Sequence, residues 1–475
     1  MTKPVYPTAP IPSDKMPPGI PYIVGNEAAE RFSFYGMAGI LSVFMTKYLL
    51  DDRGLLAPMS EQEATACYHW FTAAVYFFPV LGGILADAFW GKYRTIVTLS
   101  LVYCLGHVAL AIDETRLGLF TGLILIAVGA GGIKSCVSAH VGDQFGPRNG
   151  RLIERVFGWF YFAINVGSGA ATFLMPWLLD KYGPGLAFAV PGIFMALATL
   201  FFFMGRYKFA HIPAGGIGFV KEALSGEGLR VLGRLAIVYL FVAPFWALFN
   251  QIGSTWVFQA SRMDRHWLNF EWLRTLEAKL CDAGFTFVEG WTSAEPLPAQ
   301  IQTANPVLIL ILIPLFAYCV YPLINRVFRL TPLRKISLGL FLAVLPFSLC
   351  ALIEIWIERG GRPNILWQMP AYVLLTSAEV MVSITCLEFS YTQAPKKMKS
   401  LVMGLFLCSM SLGNAITWGV TTFLQNDDGT SKISWSNYFW FFTAMMLITA
   451  VLFVGAARLY RGRAYIHGED DHSPR

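Results

Sequence analysis

Charge is what this 475-residue chain has least of: 14% of its residues are Asp, Glu, Lys or Arg, against about 25% in ordinary soluble domains. Beside 55% hydrophobic and 15% aromatic residues and a mean hydropathy of +0.53, that scarcity excludes a water-soluble globular fold. Cysteine is missing from the places where a disulfide framework would need it. Cys67, Cys104, Cys136, Cys319, Cys350, Cys386 and Cys408 sit in apolar stretches, and only Cys281 lies in a polar loop, so no disulfide scaffold is expected. Metal-ligand spacing, a nucleophile elbow and a phosphate loop are all absent. No metal, cofactor or enzymatic chemistry is therefore expected. The net charge of +6 does not come from basic clusters on soluble segments, which argues against a nucleic-acid partner. No Asn-x-Ser/Thr sequon occurs, in keeping with a bacterial source. The Pro-rich 1–21 segment carries no apolar run with a cleavage site, so a cleaved signal peptide is not expected.

Long apolar runs are what the chain does have. A run of about 20 residues crosses a ~30 Å hydrocarbon core. Such runs fall near 22–50, 64–89, 93–112, 117–140, 153–178, 185–205, 233–258, 305–325, 335–357, 366–391, 400–425 and 435–457. An all-α membrane protein of about twelve spans embedded in a lipid bilayer is the expectation. Cationic residues favour the cytoplasmic side of short loops. With both termini inside, 23 of the 36 Lys and Arg lie on that side and 11 on the other, leaving Arg31 and Lys134 within spans. The expected organisation is a six-helix half over 1–205, a linker over 206–232 with a surface helix from Phe219 to Leu232, and a second half over 233–475. A long outer loop, 262–304, carries Trp267, Trp272 and Trp291 as expected interfacial anchors.

A charge at the centre of a span costs about 2.5–3.5 kcal/mol on insertion scales, so each needs a partner or a task. Five stand out: Glu27, Glu30 and Arg31 on the first span, Lys134 on the fourth and Glu379 on the tenth. Three negatives face two positives, so one carboxylate lacks a cation and is expected to take a proton. Glu27, Glu30 and Arg31 share one helical stripe by their three- and four-residue spacing. Phe34 and Ala38 continue it, with Tyr35 beside it. His69, seven residues before Tyr76 on the second span, is a candidate proton-handling group; a packed core histidine is the alternative.

The run Glu27-Ala-Ala-Glu30-Arg31-Phe32-Ser33-Phe34-Tyr35-Gly36 resembles the ExxERFxYYG signature of the proton-dependent oligopeptide transporter family, within the major facilitator superfamily. Further resemblances run along the chain in order. They comprise Gly82 to Asp87 with Gly91-Lys92, Gly131 to Lys134 with Gly142 to Phe145, Phe160 to Asn165, Phe245 to Gln251, Gln300 to Pro306, and Glu379 with Leu387 to Pro395. The resemblance implies two six-helix halves around a midplane site. It implies that Arg31 and Lys134 receive a substrate carboxylate, and that Glu379, Asn165 and Asn305 hold its ammonium. Tyr35, Tyr76, Trp246 and Phe406 would line side-chain pockets. Glu27 and Glu30 would couple protons, with Arg31, and with Lys134 pairing to them in the empty site; His69 matches a histidine of animal members. Asn250 and Gln251 would form a gate.

Departures from the pattern are Phe34 for the motif's first Tyr, Ala38 for a frequent Arg, Asn250 for a frequent carboxylate and Phe406 for a Trp. The 206–232 linker has no room for the two extra helices of many bacterial members. The expected function is proton-coupled symport of di- and tripeptides by alternating access, in the bacterial inner membrane and as a monomer. A carrier of nitrate or another small metabolite, or a substrate sensor with little transport, stays open.

Overall fold

The computed structural model describes residues 6–216, 225–266, 271–282, 290, 292–393 and 399–460. It is nearly all helical: among the described residues there are isolated β-bridges but no strand. The first six helices are α1 (Ile20–Lys47), α2 (Glu61–Ile84), α3 (Lys92–Ile112), α4 (Arg116–Gly142), α5 (Ile153–Tyr182) and α6 (Pro184–Met204). The second half opens with α7 (Gly226–Phe249) and α8 (Thr255–Ser261), followed by α9 (Glu271–Asp282) in the long loop. Three spans then come as pairs: α10 (Ala304–Leu315) with α11 (Tyr321–Val327), α12 (Pro332–Leu342) with α13 (Val344–Glu358), and α14 (Met369–Glu379) with α15 (Thr385–Gln393). The last two are α16 (Lys399–Phe423) and α17 (Trp435–Leu459).

Among the described residues, eleven segments are long and apolar enough to cross a membrane. α1 matches them in length at 28 residues, and its charges alone set it apart. The helix starts follow local chemistry. Ser60, Thr115, Ser225 and Ser434 cap α2, α4, α7 and α17 by accepting from the backbone N–H three residues on, which satisfies one of the four donors a helix start leaves open. Gly91 and Gly183, at φ of 77° and 81°, each turn the chain between two spans in a single residue, a conformation that side chains with a Cβ resist. The cap at Ser225 also places 226–232 inside the first turns of α7, where the sequence suggested a separate surface helix. Residues 217–224 of that stretch lie outside the described residues, as do Trp267, Trp291 and the side chain of Trp272.

Among the described residues, three spans widen into a π-helical turn: Leu85–Trp90 after α2, Phe316–Val320 between α10 and α11, and Val380–Ile384 between α14 and α15. The buried apolar side chains gather into two large clusters. One is drawn from α1–α6 with Phe258. The other is drawn from α7–α17 with Tyr76 of α2.

The halves are stitched together toward the face carrying the loops before α2 and after α8, here the loop face. Ser42 donates to the Gly253 carbonyl at 2.8 Å, Gln302 to Gly39 at 3.1 Å, and Gln62 to Thr421 at 2.8 Å. Ser411 donates to Ala73 at 2.8 Å, and Arg262 ion-pairs with both Glu61 and the buried Glu354. No hydrogen bond or ion pair between described residues joins the halves toward the opposite face, where α1 begins and α17 ends.

Candidate functional site

α1 supplies the anionic and cationic centre because its polar residues recur at helical spacing on a buried stripe. Glu27, Glu30 and Arg31 are 3%, 1% and 9% exposed. Arg31 Nε donates to Glu27 Oε1 at 2.7 Å and lies 2.9 Å from Glu30 Oε2. The second contact is off the N–H direction, so neither Glu30 oxygen accepts a hydrogen bond from a described residue. Two carboxylates thus share one guanidinium. This is the four-residue pair that the spacing predicted.

Lys134 stands differently. Its ammonium sits 3.7 Å from the Phe34 ring centroid and 4.9 Å from that of Tyr76, and it has no hydrogen-bond partner among the described residues. The expected pairing of Lys134 with Glu27 or Glu30 is absent from this conformation. Arg31, on the same helix as both carboxylates, already holds them, and Lys134 rests on π faces instead. Phe34, read from the sequence as a lost phenol, is the ring closest to that ammonium.

Across the interface, Glu379 ends α14 just before the π turn. Asn305 Nδ2 donates to its Oε2 at 2.8 Å and also reaches Thr376 Oγ1 at 3.2 Å. No cation pairs with Glu379 among the described residues. The surplus carboxylate counted in the sequence is thus Glu379 in this conformation, and the surplus cation is Lys134. Tyr35, on α1, is near enough to feel the charges of Arg31, Glu30, Glu27 and Glu379 alike.

Asn165 does not reach Glu379. Its Nδ2 donates to the Tyr161 carbonyl at 2.9 Å, and the Tyr161 phenol is the group of α5 that lies within the field of Glu379. Tyr161 lies within the Phe160–Asn165 run, where the sequence alone assigns it no role. Its four-residue spacing from Asn165 was the available signal.

Tyr76, Trp246 and Phe406 belong to one apolar cluster, with Trp246 and Phe406 rings 6.3 Å apart and near perpendicular. The Trp246 indole N–H is buried without a partner among the described residues. Asn250 and Gln251 occupy the break between α7 and α8. Each side-chain amide donates to a carbonyl one turn back, Trp246 at 3.2 Å and Ala247 at 2.9 Å. Neither amide bonds the other half; the cross-half contacts at this break come from the Gly253 carbonyl, which accepts from Ser42, and from the Ser254 hydroxyl.

His69 is fully buried, and both ring nitrogens are engaged. Nδ1 is 2.8 Å from Asn414 Oδ1 of α16, and Nε2 is 3.0 Å from Ser254 Oγ between α7 and α8. It therefore bridges the halves, with two partners the sequence did not point to.

Comparison with known proteins agrees with this architecture. The sequence model of the POT family matches residues 93–223, 216–278 and 287–441. "Peptide transporter family 1" of Drosophila melanogaster is 35% identical over 392 residues, 73% of this chain and 48% of its own length. "Solute carrier family 15 member 2" of Rattus norvegicus is 34% identical over 446 residues, 81% of this chain and 57% of its own. The chain spans about half the length of such curated relatives. Among solved structures, the POT family transporter PepTSo superposes with a TM-score of 0.81 at 33% identity, covering 94% of this chain and 99% of that one. An auto-inhibited POT family peptide transporter gives 0.80 at 31%, covering 97% and 99%. With buried charges on both of its helical halves, and with the family's sequence pattern over most of its length, this chain is an integral membrane protein that belongs to the proton-dependent oligopeptide transporter (POT) family.

Proposed function

We propose that the protein is a proton-coupled symporter of di- and tripeptides that works by alternating access. One observation carries the reading. Each half presents one charge with no counter-ion among the described residues, Lys134 from the first half and Glu379 from the second. A short peptide has one carboxylate and one ammonium, and a substrate that fills both poles neutralises both charges at once. Arg31, Asn305, Tyr35 and Tyr161 support the poles, and the Tyr76–Trp246–Phe406 surface accepts side chains of varied shape. Binding both termini this way couples substrate to the relative position of the halves, which alternating access requires.

Protons enter the reading through α1. Glu27 and Glu30 share Arg31, and when a substrate carboxylate competes for that guanidinium a helix-one carboxylate gains reason to take a proton. Asn250 and Gln251 would act as neutral gate contacts, and His69 as a proton group at the closed loop face. The names of the relatives and of the superposed transporters support peptides over nitrate, and an uncompensated Glu379 disfavours a bare anion. Placement in a bacterial inner membrane, with both termini cytoplasmic and the monomer as the working unit, completes the reading. Uptake of labelled dialanine into proteoliposomes tests it: an inward proton gradient should drive accumulation above the external concentration. Equilibration without accumulation would reject symport, and no uptake at all would reject the substrate class.

A further inference from the structure

Six of the thirteen buried side-chain polar atoms without a hydrogen-bond partner among the described residues fall in one wedge between α1, α3 and α6. They are Asn26 Oδ1, both Glu30 oxygens, Ser100 Oγ, the Tyr103 hydroxyl and His107 Nδ1. All five residues are at most 1% exposed. The wedge is held together by direct contacts. Ser33 Oγ and His107 Nε2 are hydrogen-bonded at 2.8 Å, and His107 stacks on Tyr103 at 5.1 Å between centroids. Asn26 donates to the Ala198 carbonyl of α6 at 2.9 Å. Tyr103 faces Ser33 and lies within the fields of Glu30 and Arg31, with its hydroxyl off line for a direct bond. None of these contacts belongs to the substrate poles.

Unpaired polar atoms scattered singly through a core are ordinary imperfections of packing. A run of them along one wedge, ending on a carboxylate, is a site for internal water, because water alone can satisfy donors and acceptors that do not reach one another. We propose that Ser33, Ser100, Tyr103 and His107 enclose a hydrated polar pocket behind α1, and that this pocket sets the proton affinity of Glu30. This rests on the reading of Glu30 as a coupling carboxylate. The pocket supplies what Arg31 does not: donors, through water, to the two Glu30 oxygens. His107 acts as a positioning residue, fixing the Ser33 hydroxyl and the Tyr103 ring without touching substrate.

The groups facing Glu30 from each neighbouring element are few. α1 itself supplies Glu27, Arg31 and Tyr35, α2 supplies Tyr76, and α4 supplies Lys134. α3 supplies Tyr103, with Cys104 beside it, and His107. On the α5 side, Gly167 lies against the α1 backbone beside Arg31, and α6 carries no titratable side chain along its length.

Donors to a carboxylate favour its ionised form. Removing one should therefore tighten Glu30's hold on a proton and move the pH profile of driven uptake upward. The experiment measures initial rates of proton-driven dialanine uptake against external pH in proteoliposomes, for the parent, Tyr103→Phe, Ser33→Ala and Glu30→Gln, with counterflow exchange as the control. The expected result is an upward shift of the midpoint by about half to one pH unit in Tyr103→Phe and Ser33→Ala, with exchange retained. Adding Tyr103→Phe to Glu30→Gln should change nothing further. Unmoved midpoints beside an uncoupled Glu30→Gln would overturn the pocket and leave the coupling reading standing. Loss of exchange in both variants, or a shift in the pH profile of exchange when Tyr103→Phe is added to Glu30→Gln, would overturn it as well. A Glu30→Gln protein that still concentrates dialanine would reject the coupling reading and the pocket's role with it.

Discussion

Replacing Glu379 by Gln keeps the shape of the second pole and removes its charge. Asn305 Nδ2, 2.8 Å from Glu379 Oε2, can donate equally to the amide oxygen of a glutamine, so the local packing should survive. What disappears is the charge-assisted contact to a substrate ammonium, and the amide N–H2 that replaces it is a donor facing a donor. A hydrogen bond to a charged group is worth about 1.5–3 kcal/mol, and each 1.4 kcal/mol is about a factor of ten in affinity. The half-saturation concentration for dialanine should therefore rise by about 10- to 150-fold. The discriminating assay pairs dialanine with its analogue lacking the amino group. In the parent that analogue leaves Glu379 desolvated without a cation, so Glu379→Gln should leave its transport unchanged or improve it. Equal losses for the two substrates would mean that Glu379 supports the bundle and does not read the ammonium.

Three further outcomes are expected. Lys134→Ala should weaken dialanine uptake far more than uptake of its C-terminal amide, because the amide has no carboxylate for the vacated pole; equal sensitivity would leave Lys134 as a cation resting on Phe34 and Tyr76 only. His69→Gln should alter the pH dependence of uptake more than Asn250→Ala, since Asn250 bonds only its own helix whereas His69 bridges to Asn414 and Ser254; the reverse order in pH profiles would move the proton route to the α7–α8 break. Arg262→Ala should lower thermal stability by about 1–3 kcal/mol, because it strands the buried Glu354 with only Gln259 at 2.8 Å, and Glu354→Gln should recover part of the loss; an unchanged melting temperature in Arg262→Ala would show the pair to be energetically neutral.

How much could be read from the sequence depended on how far apart the partners lie along the chain. Glu27 and Arg31 are four residues apart, and their contact follows from helical geometry alone. The spans, too, follow from hydropathy, with α1 the obscure one because the charges that lower its hydropathy are those of the site. Lys134 over Phe34 depends on how α1 and α4 cross, which no local spacing encodes, and so the sequence suggested an ion pair where the fold made a cation–π contact. The partners of His69 are 185 and 345 residues away and became visible only in the assembled halves. Glycine-rich punctuation before α7 pointed to a linker, but Ser225, a single capping residue, was enough to start the spanning helix seven residues earlier than hydropathy placed it.

The π turn after Glu379 changes how that helix should be counted. An α-helix returns to the same side at the fourth residue, which from Glu379 would be Ser383, and at the seventh, Cys386. The wide turn at Val380–Ile384 holds one residue more, so the side that carries Glu379 continues one position later, at Ile384 and then Leu387. Side-chain surroundings agree with the offset: Ile384, like Tyr161, packs against the small cluster formed by Ile309, Leu312, Phe316, Val380 and Met381, whereas Cys386 is fully buried in the core of the second half. Past residue 379, a cysteine-accessibility scan of this span should find its reactive face out of phase by one residue with the face mapped before it.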